Sequence, residues 1–160
     1  MVAQAQLPFD YIEDNNNTKL TSHAGLPLYI EMALASGINE QIKNHLKIKH
    51  QGWSDEQIII SLILLNLAGG TCIDDIDALN SDEGLSIILL KAQTYGMKRK
   101  ERRAYEKRWR KGKNRSFPCI SALRRYLEIF HDKAEENKRV PGKAFIPKPN
   151  KNLKGLANIG

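Results

Sequence analysis

The sequence predicts an all-α protein, and three observations lead to that prediction. Apolar residues between positions 21 and 135 recur every three or four residues, as they do on one face of a helix. Residues that favour the starts and ends of helices lie at the borders of these runs. No run in this range alternates apolar and polar residues, the pattern of a half-buried strand. We therefore expect a small helical bundle.

The first two predicted helices lie before position 50. Pro27 stands at a first-turn position, where its fixed backbone angle suits a helix, and Gly37 is placed to end that helix. In the short helix that follows, Ile38, Ile42 and Leu46 recur every four residues. The first helix has Leu26, Ile30, Ala33 and Leu34 on one face, so both segments carry an apolar face that needs a partner.

The most apolar run, "IIISLILLNLAGG", is predicted to be a core helix. Ser54 followed three residues later by Gln57 has the spacing of a capping box at its start, and the glycines at 69–70 end it. The run is interrupted by polar residues and is too short to span a bilayer, so no membrane association is expected. Two more short helices follow, with Thr71 and Ser81 as their expected caps.

The ends of the chain differ in composition from the middle. Residues 1–20 are expected to form a flexible arm. Residues 21–135 form the predicted helical domain, whose last helix has Ile120, Leu123, Leu127 and Phe130 on one face. Residues 136–160 are expected to form an extended connector, because the stretch from Val140 to Gly160 holds three prolines, three glycines and four lysines.

The positive charge of the chain is concentrated in one block, Met97–Arg115. This block holds eleven lysines and arginines and two glutamates, whereas the net charge of the whole chain is only +7. A run of one sign repels itself and favours an anionic partner, nucleic acid first and an anionic membrane surface second. The alternative is an ordinary solvated face without a partner.

Two aromatic residues and a second helix extend the predicted DNA-binding region. Tyr105 and Trp109 are four residues apart, so they share a helix edge that packs on the core or lies against a sugar-phosphate backbone. The helix around Lys100–Arg110 and the helix at Cys119–Phe130 are the favoured helix-turn-helix pair. A second candidate pair, joined by the glycines at 69–70, carries three aspartates on its later helix and suits DNA poorly. The predicted DNA-binding residues are Lys98, Arg99, Lys100, Arg102, Arg103, Lys107, Arg108, Trp109, Arg110, Lys111, Lys113, Arg115, Ser121, Arg124 and Arg125.

No motif in the sequence predicts catalysis, a metal site or a cofactor. The five acids of "DDIDALNSDE" fit helix caps or a solvated face better than a metal site, because no histidine accompanies them. The four histidines lack the spacing of metal ligands and are expected to lie on the surface or to bond locally. Cys72 and Cys119 are interpreted as buried, inert thiols in a reducing cytoplasm.

Four stretches of the chain, in order, resemble a known family. "LTSHAGLPLYIEMALASGI", "LILLNLAGGTCIDDIDALNSDEGL", "SFPCISALRRYLEIFHD" and "RVPGKAFIPKPNKNLKGLANIG" are similar to the N-terminal region of insertion-sequence transposases of the group-one DDE family and to its passage toward the catalytic core. The resemblance covers nearly all of residues 20–160.

The resemblance implies a function in DNA transposition. In that family a ribonuclease-H-like domain holds three acids that bind a divalent metal such as Mg²⁺, and no residue of this sequence matches them. The chain is therefore expected to be a truncated, catalytically inactive portion that binds the terminal inverted repeats in the cytoplasm, associated with the nucleoid. Expected protein contacts are homo-oligomerisation or pairing with full-length transposase.

Three alternatives to this function stay open at the level of sequence. The first is a standalone truncated regulator that inhibits transposition. The second is a remnant without a selected role. The third is a basic protein that binds RNA or DNA without sequence preference.

Overall fold

A computed structural model describes residues 20–111 and 115–159, and in these ranges the chain is helical with no β-strand. The all-α prediction is confirmed. The predicted N-terminal arm lies, except for Leu20, outside the described residues. The helices are α1 Leu26–Ala35, α2 Ile38–His45, α3 Asp55–Leu67, a 3₁₀ turn at Ile73–Asp75, α4 Ile76–Ser81, α5 Glu83–Thr94, α6 Arg99–Lys111, α7 Ile120–Glu128, α8 Lys133–Glu136 and α9 Lys151–Ala157.

The predicted starts and ends of the first three helices are confirmed. Pro27 lies in the first turn of α1, and Gly37 has a left-handed φ of 73°, so the chain turns there between α1 and α2. At the start of α3 the Ser54 hydroxyl accepts from the Gln57 N–H, and the Gln57 side chain accepts from the Ser54 N–H. These reciprocal bonds satisfy two backbone donors that no helical carbonyl reaches.

The caps of the next two helices differ from the prediction. Asp75 rather than Thr71 is the acceptor at the 3₁₀ turn, since its carboxylate accepts from the N–H groups of Thr71 and Cys72. Asp82 rather than Ser81 caps α5, because its Oδ1 accepts from the Leu85 N–H at 2.8 Å. A carboxylate carries a full negative charge toward the positive end of the helix dipole, which makes it the stronger acceptor.

One hydrophobic core holds α1, α3, α4, α5 and α7 together. Phe117 and Tyr126 are among its largest fully buried side chains. The remaining members of the core are Leu26, Ile30, Ile58, Leu64, Leu65, Ile76, Leu79, Leu85, Leu89, Ala92 and Leu123.

The predicted apolar face of α7 is confirmed at Ile120, Leu123 and Phe130, which are buried or pack against the core, and differs from the prediction at Leu127. Leu123 is buried as expected, but its buried neighbour one turn later is Tyr126, and Leu127 is 37% exposed. Tyr126 and Leu127 follow Leu123 by three and four residues, so they lie on opposite sides of Leu123 when the helix is viewed along its axis. The core lies on the side of Tyr126, so the phenol ring takes the place predicted for leucine.

In the C-terminal segment, residues 137–150 are not helical. Contrary to the predicted extended connector, α9 forms after these residues and packs on α2. The Asn150 side chain joins the two parts, because its amide donates to the carbonyls of Ile129 and Phe130 while its oxygen accepts from the Leu153 N–H. The end of α7 and the start of α9 therefore share one capping residue.

No helix within residues 20–111 and 115–159 has both the length and the apolarity that a membrane span requires. The longest of these helices, α3 and α6, have 13 residues each.

Candidate nucleic-acid interface

Helix α6 presents the predicted cationic residues to solvent. The side chains of Arg99, Lys100, Arg102, Arg103 and Lys107 are all exposed. At about 100° per residue they fall within roughly 160° of arc, on the side of the helix away from Tyr105. Five positive charges therefore share one outward face, which we call the cationic face of α6.

Tyr105 anchors α6 to the body of the protein. Its half-buried side chain donates from the hydroxyl to Gln93 Oε1 of α5 at 2.5 Å and accepts from Gln57 Nε2 of α3 at 3.4 Å. The sequence left open whether Tyr105 packs on the core or lies against a sugar-phosphate backbone. In the structure it packs toward the core. The two glutamines that hold it carry no sequence signal of that role.

Acidic residues neutralise little of the cationic face. Arg102 Nε lies 3.7 Å from Glu106 Oε1 within α6. Among the described residues, the other four members of the face form no ion pair. Lys98, exposed just before the helix, donates its backbone N–H to the Glu101 carboxylate at 3.4 Å. Within residues 20–111 and 115–159, therefore, acidic side chains leave most of the positive charge of this face without an ion-pair partner.

Some of the predicted DNA-binding residues fall outside what the structure describes. At Arg108, Trp109, Arg110 and Lys111 the helical backbone alone is described, and Lys113 lies outside the described residues. The predicted role of Trp109 therefore stays a prediction.

Arg115 and the predicted reading residues of α7 are also exposed. Ser121, Arg124 and Arg125 lie on the solvent side of α7, and Arg125 Nε donates to the carbonyl of Ser121 at 3.1 Å. Arg124 reaches back across the surface, so that its Nη2 lies 2.8 Å from Asp74 Oδ1 in the 3₁₀ turn. One predicted DNA contact is thus held by a carboxylate.

The two halves of the predicted helix-turn-helix pack on different neighbours. Helix α6 packs on α5 and is bonded to α3, whereas α7 packs on the 3₁₀ turn. The pairing of α6 with α7 as a helix-turn-helix stays a prediction.

Three of the five acids of this region have a described structural role: Asp75 and Asp82 accept backbone N–H groups, and Asp74 pairs with Arg124. The N–H groups of Cys72 and Thr71 lower the pKa of Asp75 below its ordinary value. Burial raises the pKa of Asp82, but hydrogen bonds from Leu85, Thr21 and other donors outweigh burial, so that the net shift is downward. No group of three or more histidines, cysteines or acids is placed to bind a metal ion within the described ranges.

The remaining titratable side chains in this region follow the predictions only in part. His23 bonds locally as predicted, since its Nδ1 lies 3.1 Å from the Ser22 hydroxyl oxygen. The same nitrogen also lies 3.2 Å from Oδ2 of Asp82, on a distant part of the chain. The cysteines are both free, but Cys72 is exposed and Cys119 half-buried, so the prediction that both are buried is wrong. Each cysteine lies at the position just before a helix begins, Cys72 before the 3₁₀ turn and Cys119 before α7. A hydrogen bond with the Ser121 hydroxyl lowers the pKa of the Cys119 thiol.

The chain matches no family model, no curated protein and no solved structure.

Proposed function

We propose that this chain is a DNA-binding portion of an insertion-sequence transposase, and that the cationic face of α6 holds the phosphate backbone. The observation that carries the proposal is the arrangement of α6, with five exposed cations on the side away from the Tyr105 anchor. The anchor fixes the helix on the body while the opposite side stays open to a partner.

The dimensions of α6 suit a nucleic-acid backbone. A 13-residue helix is roughly 20 Å long. A DNA duplex carries one negative charge per about 1.7 Å of its axis, so several phosphates lie within reach of the face. Arginine supplies three of the five cations, and its planar fork of N–H groups matches two phosphate oxygens at once.

Sequence preference is assigned to α7. Phosphate contacts position a protein on DNA, whereas side chains that reach base edges select the sequence. Ser121, Arg124 and Arg125 offer a hydroxyl and two guanidinium groups, and arginine bonds guanine through two acceptors in the major groove. The link to transposition comes from the four stretches that resemble the transposase N-terminal region.

Fluorescence anisotropy with two labelled duplexes tests this function. One duplex carries the inverted repeat that flanks the gene and the other a shuffled version of it. We expect tighter binding to the repeat, and an affinity for both that falls several hundredfold between 50 and 200 mM salt, as about five phosphate contacts predict. Equal, salt-sensitive affinity for both duplexes would restrict the function to a non-specific hold on polyanions. Absence of binding to either duplex would contradict the proposal.

A further inference from the structure

The outward side of α1 carries large apolar residues that no described element covers. Leu28, Tyr29 and Met32 are 58%, 45% and 64% exposed. Ala35 and Ser36, which continue the same side of the helix to its C-cap, are exposed as well. At about 100° per residue these five positions fall within roughly 120° of arc. We call them the outer face of α1.

The outer face has the composition of a buried surface. Among the ten residues of α1 the sole charged one is Glu31, which is half-buried and lies at the edge of the face, beyond Ala35. Helix α1 therefore presents apolar side chains to the core, through Leu26 and Ile30, and also to solvent. A surface helix normally has a polar solvent side, whereas a helix that is apolar all round is normally buried. The outer face therefore needs a cover.

The order of side-chain sizes along the face fits a second copy of the same face. The bulky residues Leu28 and Tyr29 lie toward the N-terminal end, the small residues Ala35 and Ser36 lie toward the C-terminal end, and Met32 lies halfway between the two pairs. When two such helices pack antiparallel about a two-fold axis at Met32, the bulky pair of each copy lies opposite the small pair of the other. The two methionines meet at the centre, where their flexible side chains adapt to each other. Because the face carries no charge, this pairing brings no like charges together.

From this complementarity we infer that the outer face of α1 is an interface between two copies of the chain, related by a two-fold axis at Met32. A ten-residue helix is about 15 Å long, so the contact is smaller than the roughly 800 Å² per partner of a standard interface. The association is therefore weak, with a dissociation constant on the order of 10–100 µM. The inference does not depend on the proposed function, because the interface and its test involve no nucleic acid.

Sedimentation equilibrium of the full chain, without DNA, measures the association between about 5 and about 500 µM protein. Salt at about 300 mM shortens the Debye length to roughly 6 Å, which limits repulsion between the cationic faces of α6. We expect the wild type to show a reversible equilibrium between monomer and dimer.

Substitutions at the centre of the face locate the interface. Met32→Glu should weaken the dimer roughly tenfold or more, because the two-fold axis places two carboxylates side by side. Ile146→Glu is the matched control, since it places the same side chain at an almost fully exposed apolar position outside α1, and it should leave the association unchanged.

A mixture of two variants tests the two-fold axis itself. Met32→Glu and Met32→Lys should each associate weakly alone, because like charges meet at the centre. An equimolar mixture should associate more tightly than either variant, because the carboxylate of one copy then meets the ammonium group of the other. Such a rescue requires that position 32 of one copy lies next to position 32 of the other.

Circular dichroism establishes that each variant is folded. Ala35→Trp, which replaces a small residue opposite the bulky pair, should also weaken the dimer and is the independent test if Met32→Glu unfolds. A wild type that stays monomeric at every concentration would overturn the inference, and nuclear Overhauser effects from the Met32 methyl group to residues 1–19 would then assign the face to the same chain. A dimer of unchanged affinity in Met32→Glu, or a mixture no tighter than its components, would overturn it as well.

Discussion

Arg124 and Asp74 form an ion pair between α7 and the 3₁₀ turn, with 2.8 Å between Nη2 and Oδ1. Both side chains are more than half exposed, so the pair contributes at most about 1 kcal/mol to folding stability. Its larger consequence is for binding. In the proposed complex the Asp74 carboxylate competes with DNA for the guanidinium of Arg124.

Asp74→Asn is therefore expected to strengthen DNA binding severalfold, because it removes that competitor as well as a negative charge. Anisotropy with the inverted-repeat duplex measures the change. Asp77→Asn removes the same charge from an exposed position three residues away that has no described contact with Arg124. An equal gain in both variants would show that overall charge, and not the ion pair, determines the effect.

Arg124→Ala should relax sequence preference and reduce the affinity for shuffled DNA much less. A bidentate contact from arginine to guanine discriminates between bases by about 1–3 kcal/mol. The ratio of the two dissociation constants, repeat over shuffled, measures this directly. An unchanged ratio would place sequence reading on another element.

Tyr105→Phe should loosen α6 from the body. The substitution removes the hydroxyl bonds to Gln93 and Gln57 but keeps the ring, and each such bond contributes about 0.5–1.5 kcal/mol. Amide hydrogen exchange is expected to accelerate in α6 more than in α3 or α7. Tyr29→Phe, at a half-exposed position on α1, is the control and should leave α6 unchanged. Exchange in α6 at the wild-type rate would contradict the anchoring role.

Acid should destabilise the protein partly through Asp82. The pKa of Asp82 is lowered in the folded state, so its hydrogen bonds stabilise the fold fully above the ordinary carboxyl pKa of about 3.9, and this contribution is lost as the pH falls below that value. Urea unfolding of the wild type and of Asp82→Asn from pH 7 to pH 3 measures it. The difference in unfolding free energy should shrink as the pH falls. A difference that stays constant would exclude the carboxylate as its source.

Gly155→Ala should detach α9 from α2. A Cβ at this position would lie 2.5 Å from the carbonyl oxygen of His45, closer than any allowed contact. Exchange at the α9 amides should accelerate, although alanine favours a helix by about 1 kcal/mol over glycine. Gly25→Ala is the matched control, because no atom lies within 4 Å of its added Cβ. Protection of α9 equal to wild type in Gly155→Ala would contradict the close packing.

Local sequence patterns predicted the helices. The features that these patterns did not predict depend on packing between residues that are far apart in the sequence. The Ser54 capping box and the turn at Gly37 depend on residues close in sequence, and both are as expected. Tyr126 is buried in place of Leu127 because α7 packs on elements more than forty residues earlier in the chain. Periodicity identifies the apolar face of a helix, but it does not decide which of two adjacent residues at the edge of that face is buried.

The candidate interface was predictable in charge but not in geometry. The sequence placed the cations in one block, whereas the anchoring of Tyr105 by Gln57 and Gln93 joins residues 48 and 12 positions apart. The Arg124 ion pair spans 50 positions and leaves no local pattern. The docking of α9 on α2 depends on Gly155. The sequence gives no sign of this role, because Gly155 lies in the segment that was predicted to be an extended connector.

The salt dependence of DNA affinity tests the central claim, that the cationic face of α6 holds phosphates. We compare the wild type with Arg99→Ala/Arg103→Ala/Lys107→Ala, and with a control that removes equal charge elsewhere, Lys47→Ala/Lys49→Ala/Lys154→Ala, at exposed positions. Each lost phosphate contact reduces the slope of log affinity against log salt by about 0.9. The α6 variant should therefore lose roughly two to three units of slope, whereas the slope of the control variant should hardly change. Equal slopes in the wild type and the α6 variant would contradict the account.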